Sequence, residues 1–326
     1  MLCHASPRQR GVPPSVQLIR RLPAVADRPV ALTIGNFDGV HRGHQAMLVR
    51  LAEAAEDLGL EPAVLTFDPH PREVITGKPQ ALLTTITERA ERLATLGLDR
   101  LVVVPFEQSL SETPAEAYVT QFLRERIGLK AAVVGYDHRF GWKRQGDYAL
   151  LVELGQKLGF ETHEIPAQMV DNELISSTAI RNHLAQCEIP EANRLLGYPY
   201  SVTGIVFRGN QLGRTIGFPT ANLLPNHPRK ILPPIGIYAV TVRLSDGSRH
   251  RGMAYIGNRP TVVTNGATWL EVNVFNFDGD LYDQEITVYF HAFSREDQTF
   301  ASLELLIEAL KRDRDHCINT LNSLSL

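Results

Sequence analysis

Residues 30–45, Val-Ala-Leu-Thr-Ile-Gly-Asn-Phe-Asp-Gly-Val-His-Arg-Gly-His-Gln, place a glycine-rich loop between an apolar run and a helical pattern. The apolar run Val30–Ile34 is typical of a buried parallel strand. The segment His44–Leu58 has helical spacing, and Gly59 is placed to end that helix. A strand, a loop and a helix in this order predict the start of a Rossmann-like α/β domain with a parallel sheet.

The first half of the chain repeats this alternation of short strands and helices. Thr113 and Glu116 have the spacing of a capping box, with Pro114 at the first position of a helix that runs to Ile127. The pattern therefore predicts a parallel sheet that is covered by helices on both faces. The remaining predicted strands are Ala63–Phe67, Leu101–Val104 and Ala131–Val134, and the remaining helices are Thr87–Leu96 and Tyr148–Leu158.

The pattern changes near Cys187, after which apolar and polar residues alternate and tight turns recur. These features predict a small antiparallel β-barrel, closed off by a C-terminal helix at Ser302–Leu324. We therefore expect a flexible N-terminal segment at 1–15, an α/β domain at 16–187 and a barrel domain at 188–326. The predicted barrel strands are Ser201–Phe207, Tyr238–Leu244, His250–Ile256, Leu270–Phe277 and Glu285–Phe293.

Composition excludes several classes of protein. The 326 residues carry a net charge of −3, and neither half is strongly basic, which argues against a nucleic-acid partner. The three cysteines form no CxxC motif, so a disulfide scaffold is excluded and a reducing, cytoplasmic location is expected. No apolar stretch reaches the length of about 18 residues that a membrane span needs. The basic, acid-free start Met1–Gly11 fits either a disordered tail or an organelle transit segment.

The loop after the first strand carries the first candidate chemistry. Its glycines let the backbone approach a ligand closely, and the following helix N-terminus attracts phosphate. His41 and His44 are three residues apart, so both can point at one phosphate group. Such a pair can stabilise the charge that develops during phosphoryl or nucleotidyl transfer.

The HxGH pattern resembles the signature of the nucleotidyltransferase superfamily, and the wider string GNFDGVHRGHQ resembles the adenylylation domain of bacterial-type FAD synthetases. Three later segments agree with that family in order: TFDPHP at 66–71, the loop at 135–147, and ISSTxIR at 175–181. Within the loop, His138 and Trp142 depart from the family at variable positions. The resemblance implies catalytic roles for His41 and His44. It also implies ATP or phosphate binding by Gly35, Phe37, Asp38, Gly43, Asp137, Arg144, Ser176, Ser177, Thr178 and Arg181.

Local chemistry supports two of these segments. Ser176–Thr178 have the residue types of helix N-caps, which would place hydroxyl and N–H groups near a β- or γ-phosphate. Arg181 lies one turn further on and can fork onto the same oxygens. Asp137 follows a strand and can bind either a ribose hydroxyl or a magnesium ion, a choice that the residues leave open.

The second half carries a different phosphate motif. The stretch from Gly209 to Thr215 is not a Walker A loop, because its glycine spacing is one residue short and Arg214 replaces lysine. Its continuation at 217–222, GFPTAN, resembles the signature of riboflavin kinases. Thr220 and Asn222 offer hard oxygen ligands for the Mg²⁺ that accompanies ATP. The binding residues implied for ATP or flavin are Gly213, Arg214, Gly217, Phe218, Pro219, Thr220 and Asn222.

The resemblance to riboflavin kinases also places the catalytic base on a downstream strand, at Glu271. Phe218 and Tyr238 are the aromatic candidates for contact with the flavin ring. The resemblance covers roughly 16–315 and implies a bifunctional enzyme of flavin-cofactor synthesis. That enzyme would phosphorylate riboflavin to FMN in the barrel and adenylylate FMN to FAD in the α/β domain, with Mg²⁺ and ATP.

Three alternatives stay open from the sequence. HxGH beside a barrel also occurs in aminoacyl-tRNA synthetases, but the chain has no KMSKS-like string. A flavin-binding regulatory protein would have one or both sites inactive, whereas both catalytic signatures are intact here. An enzyme that retains only one of the two activities is the third alternative.

Overall fold

The computed structural model describes residues 16–20, 24–209, 213, 216–258 and 268–324. The chain forms two compact units. The first contains the chain up to Val40, then His44–Gln80 and Ile86–Ala167; the second contains His41–Gly43, Ala81–Thr85 and the chain from Gln168 onward. Arg214 and the segment 259–267 lie outside the described residues.

The first unit is built on a six-stranded, fully parallel sheet. Its strands are β1 Gln17–Ile19, β2 Val30–Ile34, β3 Glu61–Phe67, β4 Arg100–Val104, β5 Leu129–Gly135 and β6 Glu161–Ile165. They lie in the order β1-β4-β3-β2-β5-β6, which confirms the predicted α/β class. The edge strands β1 and β6 were not predicted, because β1 has three residues and β6, Glu-Thr-His-Glu-Ile, is largely polar.

Helices cover both faces of this sheet, as a continuous apolar strand pattern requires. The helices are α1 Arg42–Leu58, α2 Pro71–Thr76, α3 Ile86–Thr95, α4 Gln108–Ser111, α5 Ala115–Ala117 and α6 Tyr148–Leu158. Alternate residues of β2 face opposite sides: Leu32 packs with α6 and the helix ending at Ile127, and Ala31 packs with α1 and α3.

The predicted capping box before Ala115 is wrong. Pro114 is the N-cap residue, and no side chain caps the helix. The hydroxyl of Thr113 instead donates to the carbonyl of Ser109 in α4, at 3.0 Å. The helix then continues as a π-helix over Tyr118–Ile127, and it ends at Gly128, with a positive φ of 91°, as predicted.

The second unit begins with a short hairpin and two helices and then forms a closed antiparallel barrel. The hairpin strands are β7 Met169–Val170 and β8 Glu173–Leu174, and the helices are α7 Ser177–Ala185 and α8 Ile189–Leu196. The barrel strands are β9 Ser201–Phe207, β10 Ala221–Pro225, β11 Gly236–Arg243, β12 Arg249–Asn258, β13 Thr268–Val274 and β14 Glu285–Arg295. They close in the order β10-β13-β12-β11-β14-β9, which confirms the predicted barrel.

The predicted C-terminal helix is α9, Leu303–Ser323, with Ser302 as its N-cap. Strand alternation gives β11 two apolar faces. Even-numbered residues of β11, such as Tyr238 and Val240, fill the barrel interior. Odd-numbered residues, such as Ile237 and Ala239, pack outside against Cys317 of α9. In the part of the chain that is described, no helix combines the length and apolar character needed to cross a bilayer.

Candidate functional site

The loop after β2 has a strained, tightly packed backbone. Phe37 and Val40 adopt positive φ angles of 50° and 39°, although neither is glycine. Such conformations persist only where the surrounding contacts determine them, and they cluster at functional sites. The Phe37 ring is fully buried, and its centroid lies 4.6 Å from that of the His44 imidazole. The loop therefore packs directly on one of the two predicted catalytic histidines.

Gly35 and Gly43 lie so close to neighbouring rings of the loop that a side chain at either position would crowd them. A Cβ on Gly35 would lie 3.3 Å from the Phe37 ring. A Cβ on Gly43 would lie 3.2 Å from Nδ1 of His41, which is buried. A Cβ at either position would require the neighbouring ring to shift by a few tenths of an ångström.

A cavity of about 570 Å³ opens in the first unit. Gly35 and Arg144 are the two predicted site residues in its lining, and Asp137 is exposed outside it. His138 also lines the cavity, and desolvation by burial lowers its pKa to about 4, so the ring is neutral at physiological pH. The aromatic lining side chains are Phe67, Phe106, Tyr118, Phe140 and Trp142.

The ISST segment starts helix α7 in the second unit, as its residue types predicted. Ser176 is the N-cap, and its Oγ accepts a hydrogen bond from the Ala179 N–H at 3.1 Å. Ser177 and Thr178 are the first helical residues. The Nε of Arg181 donates to the carbonyl of Ala81 at 3.2 Å. The backbone N–H groups of a first helical turn point away from the helix body, which is the direction from which a phosphate would approach.

The GFPTAN motif leads into strand β10 of the barrel, a strand that the sequence pattern did not predict. Asn222 of β10 and Glu271 of β13 are direct register partners. Because neighbours along a strand alternate between faces, Thr220, Asn222 and Glu271 share the outer face, while Ala221 and Val272 belong to the inner core. The Thr220 hydroxyl donates to Oε2 of Glu271 at 3.0 Å.

These side chains line a second cavity, of about 590 Å³, on the outer face of the barrel. It brings together five predicted site residues, namely Gly213, Phe218, Thr220, Asn222 and Glu271. A Cβ on Gly213 would lie 2.2 Å from the Phe218 carbonyl oxygen, so this turn accepts only glycine.

Three further residues that were singled out from the sequence, namely Gly217, Pro219 and Tyr238, do not line this cavity. Gly217 forms a turn with φ of 81°, and Pro219 contributes a carbonyl that accepts a hydrogen bond from Nδ2 of Asn273 at 2.7 Å. The expectation that Tyr238 contacts the flavin is wrong. Tyr238 is fully buried inside the barrel, and its hydroxyl donates to the Pro234 carbonyl.

Several residues that line the second cavity, and Trp269, which bonds to its lining from outside, were not assigned to a site from the sequence. Nε1 of Trp269 donates to Oδ1 of Asn222 at 2.7 Å and so orients that side chain. Arg295 makes two hydrogen bonds to Asp313 of α9, at 2.8 and 2.7 Å, and Tyr255 donates to Asp297 at 3.0 Å. The sequence did contain a signal for Trp269 and Asn273. Each lies two residues from Glu271, so all three side chains are on the same face of one strand.

The outer-face residues include the oxygen donors that a divalent metal would need. Thr220 and Asn222 supply a hydroxyl and an amide oxygen, both hard ligands. Within the described ranges there is no cluster of three or more His, Cys, Asp or Glu side chains suited to hold a metal. The donor set thus fits a cation that takes most of its ligands from phosphate and water.

Comparison with known proteins matches the two halves of the chain to two different families. The family model for FAD synthetase matches residues 24–179, and the model for riboflavin kinase matches 196–321. The bifunctional riboflavin kinase/FMN adenylyltransferase of Pseudomonas fluorescens is 40% identical over 91% of this chain and 96% of its own length. The enzyme of that name from Escherichia coli K12 is 38% identical, with the same coverage of both chains.

A solved structure described as a macrolide-efflux protein from Streptococcus pneumoniae has the same fold, with a TM-score of 0.82 and 28% identity over 91% of this chain and 97% of that one. Both family models, taken together, span most of the chain. The HxGH loop, Ser176–Thr178, the GFPTAN motif and Glu271 lie within the matched ranges, whereas Arg181 lies just beyond the first of them. The chain therefore belongs to the family of bifunctional riboflavin kinases/FMN adenylyltransferases, with an N-terminal FAD synthetase domain and a C-terminal riboflavin kinase domain.

Proposed function

We propose that the barrel cavity phosphorylates riboflavin to FMN and that the α/β domain then adenylylates FMN to FAD, with domains at 16–187 and 188–326. The observation that carries this proposal is the 3.0 Å hydrogen bond between Thr220 and Glu271 in a cavity of about 590 Å³. It joins the GFPTAN motif to a carboxylate that can act as a base. A volume of this size is typical of a small-molecule site.

In the kinase reaction, Glu271 takes the proton from the terminal ribityl hydroxyl of riboflavin as that oxygen attacks the γ-phosphorus of ATP. The new O–P bond forms, the bond from the γ-phosphorus to the bridging oxygen breaks, and ADP leaves. Phe218, Ile237 and Met253 give the cavity apolar surface for the flavin ring. Positioning of the two substrates supplies most of the rate enhancement.

Thr220 and Asn222 would hold Mg²⁺ beside the ATP phosphates. The Thr220 hydroxyl donates its proton to Glu271, which leaves its oxygen lone pairs as acceptors for a cation. Trp269 fixes the Asn222 amide oxygen in place. A bound Mg²⁺ neutralises the charge of the phosphate oxygens.

In the adenylylation reaction, a phosphate oxygen of FMN attacks the α-phosphorus of a second ATP. The bond to the β-phosphate breaks and pyrophosphate leaves. Because the nucleophile is already anionic, no general base is needed, and we assign charge stabilisation to His41 and His44. Gly35, Phe37, Asp38 and Gly43 shape this loop, and Ser176–Thr178 with Arg181 are assigned to the ATP phosphates. Asp137 and Arg144 complete the assigned set.

The substrates are therefore small molecules, and we assign the chain no nucleic-acid or membrane partner. We assign the chain to the cytoplasm, because its three cysteines form no CxxC motif and no disulfide scaffold is expected. Release of FMN from the barrel and its rebinding in the α/β domain is the simplest route between two sites on separate domains.

One assay tests both assignments. The purified chain is incubated with riboflavin, ATP and Mg²⁺, and the flavins are separated by chromatography. We expect FMN to appear first and FAD to accumulate afterwards. Riboflavin alone would identify a binding protein without activity, and FMN alone would restrict the chain to kinase activity. A parallel incubation of FMN with ATP tests the second reaction by itself.

A further inference from the structure

Arg89 is a charged residue in the core of the first unit. It lies on α3 among buried apolar residues such as Ala90 and Leu93, and only 3% of its surface is exposed. Removal of a guanidinium from water is costly unless partners compensate it. An apolar residue would fill this helix position without that cost, so the partners of Arg89 are informative.

The Arg89 guanidinium reaches the catalytic loop along two routes. Its Nη1 donates to Oγ1 of Thr66 at 2.9 Å, and that hydroxyl in turn donates to the carbonyl of Asn36 at 2.9 Å. Its Nη2 lies 3.6 Å from Oδ1 of Asp38, which is 1% exposed. The two routes end at Asn36 and Asp38, the residues on either side of Phe37.

Phe37 is the residue whose backbone needs such restraint. Its φ of 50° is unfavourable for a side chain with a Cβ, and fixed neighbours on both sides hold it there. Its ring packs on His44, with 4.6 Å between centroids. The contacts thus run from Arg89 through Asn36 and Asp38 to Phe37, and from the Phe37 ring to the His44 imidazole.

We propose that Arg89 is a positioning residue for adenylyl transfer, which fixes the Asn36–Asp38 turn and thereby the His44 ring. The proposal rests on the proposed role of His44 in the conversion of FMN to FAD. Loss of this restraint would move the imidazole relative to the transferred phosphorus. A displacement of about 1 Å in a catalytic group lowers rates by about 100-fold.

The test compares Arg89→Gln with Arg89→Lys in the full-length chain. We expect Arg89→Gln to lower kcat for FAD formation by about 100-fold while KM for ATP and FMN changes by less than about threefold. Arg89→Lys keeps a cation near Asp38, so its kcat for FAD formation should be about tenfold higher than that of Arg89→Gln. Riboflavin kinase activity of the same samples should stay unchanged.

Arg100→Gln is the matched control. Arg100 is a second buried arginine of the first unit, 7% exposed, and its Nη1 donates to Oε2 of Glu61 at 3.0 Å. It lies at the start of β4, whereas the loop follows the carboxyl end of β2. We expect its kcat for FAD formation to stay within about twofold of wild type. An equal fall for Arg100→Gln and Arg89→Gln would show general destabilisation and overturn the proposal.

Thr66→Val keeps the test decisive if Arg89→Gln does not fold. Valine has the shape of threonine and removes only the hydroxyl between Arg89 and Asn36, so kcat should fall about tenfold. Normal kcat in folded Thr66→Val or Arg89→Gln, or a raised KM with unchanged kcat, overturns the positioning role. Failure of the wild-type chain to convert FMN to FAD would instead overturn the proposed function.

Discussion

The two units place their candidate catalytic groups in different ways. In the α/β domain, His41 lies in the loop beyond the carboxyl end of β2 and His44 lies in the first turn of α1, next to that loop. In the barrel, Glu271 and Asn222 lie on paired strands, and a ladder of backbone hydrogen bonds sets their separation. Loop residues have no such ladder, so they depend on side-chain contacts with the core.

This difference predicts different sensitivities to substitution. The barrel site keeps its geometry through backbone register, which changes of single side chains leave intact. The loop site is held by a buried ion pair and by aromatic packing, so its activity should respond to residues that never touch substrate. Substitutions within each site should give the largest losses, and each should affect one activity only.

Glu271→Ala is expected to have the largest effect. Removal of a general base lowers rates by about 10²- to 10⁴-fold, so riboflavin phosphorylation should fall by about 1,000-fold. Conversion of FMN to FAD should continue at the wild-type rate, because that reaction needs no base. Both rates are measured on one preparation by separation of the flavins. Loss of both activities in a folded variant would contradict the assignment of one reaction to each of the two proposed domains.

His44→Ala makes the reverse test. Loss of one group that stabilises the transferred charge costs about 10²- to 10³-fold, so FAD formation should fall by that amount while FMN formation persists. The variant also removes the ring on which Phe37 packs, so circular dichroism must show an intact fold. FAD formation at the wild-type rate would exclude His44 from catalysis.

Trp269→Phe measures how far backbone register alone orients the barrel site. Phenylalanine can keep the edge contact with Phe207, at 4.5 Å between centroids, but it loses the hydrogen bond to Asn222. If register dominates, kinase activity should fall only about tenfold, as expected for one lost hydrogen bond near a site. A loss as large as that of Glu271→Ala would show that the barrel depends on side-chain contacts as much as the loop does. FAD formation serves as the internal control.

Sequence alone predicted both fold classes, because each depends on periodicity. Apolar runs such as Val30–Ile34 and alternating strands such as Ser201–Phe207 carry that signal directly. Strand β10 was missed because Pro219 and Asn222 at its start are typical of turns, and its strand geometry depends on pairing with β9 and β13. The capping role predicted for Thr113 is wrong because its hydroxyl has a nearer acceptor in α4.

The candidate site shows the same limit. Contiguous motifs located His41, His44 and Thr220, whose neighbours in sequence are also their neighbours in space. Arg89 gave no such signal, since its partners Thr66 and Asp38 are far from it in sequence and meet it only through packing of α3. Tyr238 lies on the face opposite to the cavity, and an aromatic residue type alone does not show which face of a strand it occupies.

The segment from Glu173 to Arg194 precedes the first barrel strand in the chain. Side-chain ion pairs hold it, in contrast to the backbone register of the barrel and the packing of the loop. Nδ1 of His183 lies 2.6 Å from Glu188 and Nε2 lies 2.7 Å from Glu173, and Arg194 also pairs with Glu173, at 2.7 Å. Only an imidazolium donates from both nitrogens. Burial opposes this charge, but the hydrogen bonds to the two carboxylates raise the pKa of His183 above 6.5. The hydrogen bond from His183 lowers the pKa of Glu173 below 4.5.

His183→Gln should therefore have a small, pH-dependent effect on stability. A raised pKa in the folded state stabilises the protein below pH 6.5, and this stabilisation is lost as the pH rises through the folded value. The Glu173 contribution is present above pH 4.5 and is lost on acidification, so the cluster stabilises most between these values. Because the groups are partly exposed, the variant should lose about 0.5 kcal/mol at about pH 6. Urea unfolding at about pH 6 and about pH 9 measures this difference, with the exposed His316→Gln on α9 as control. A deficit that is equal at both pH values would mean that His183 acts by packing, and the segment would then resemble the loop, where Phe37 packs on His44, more than the barrel.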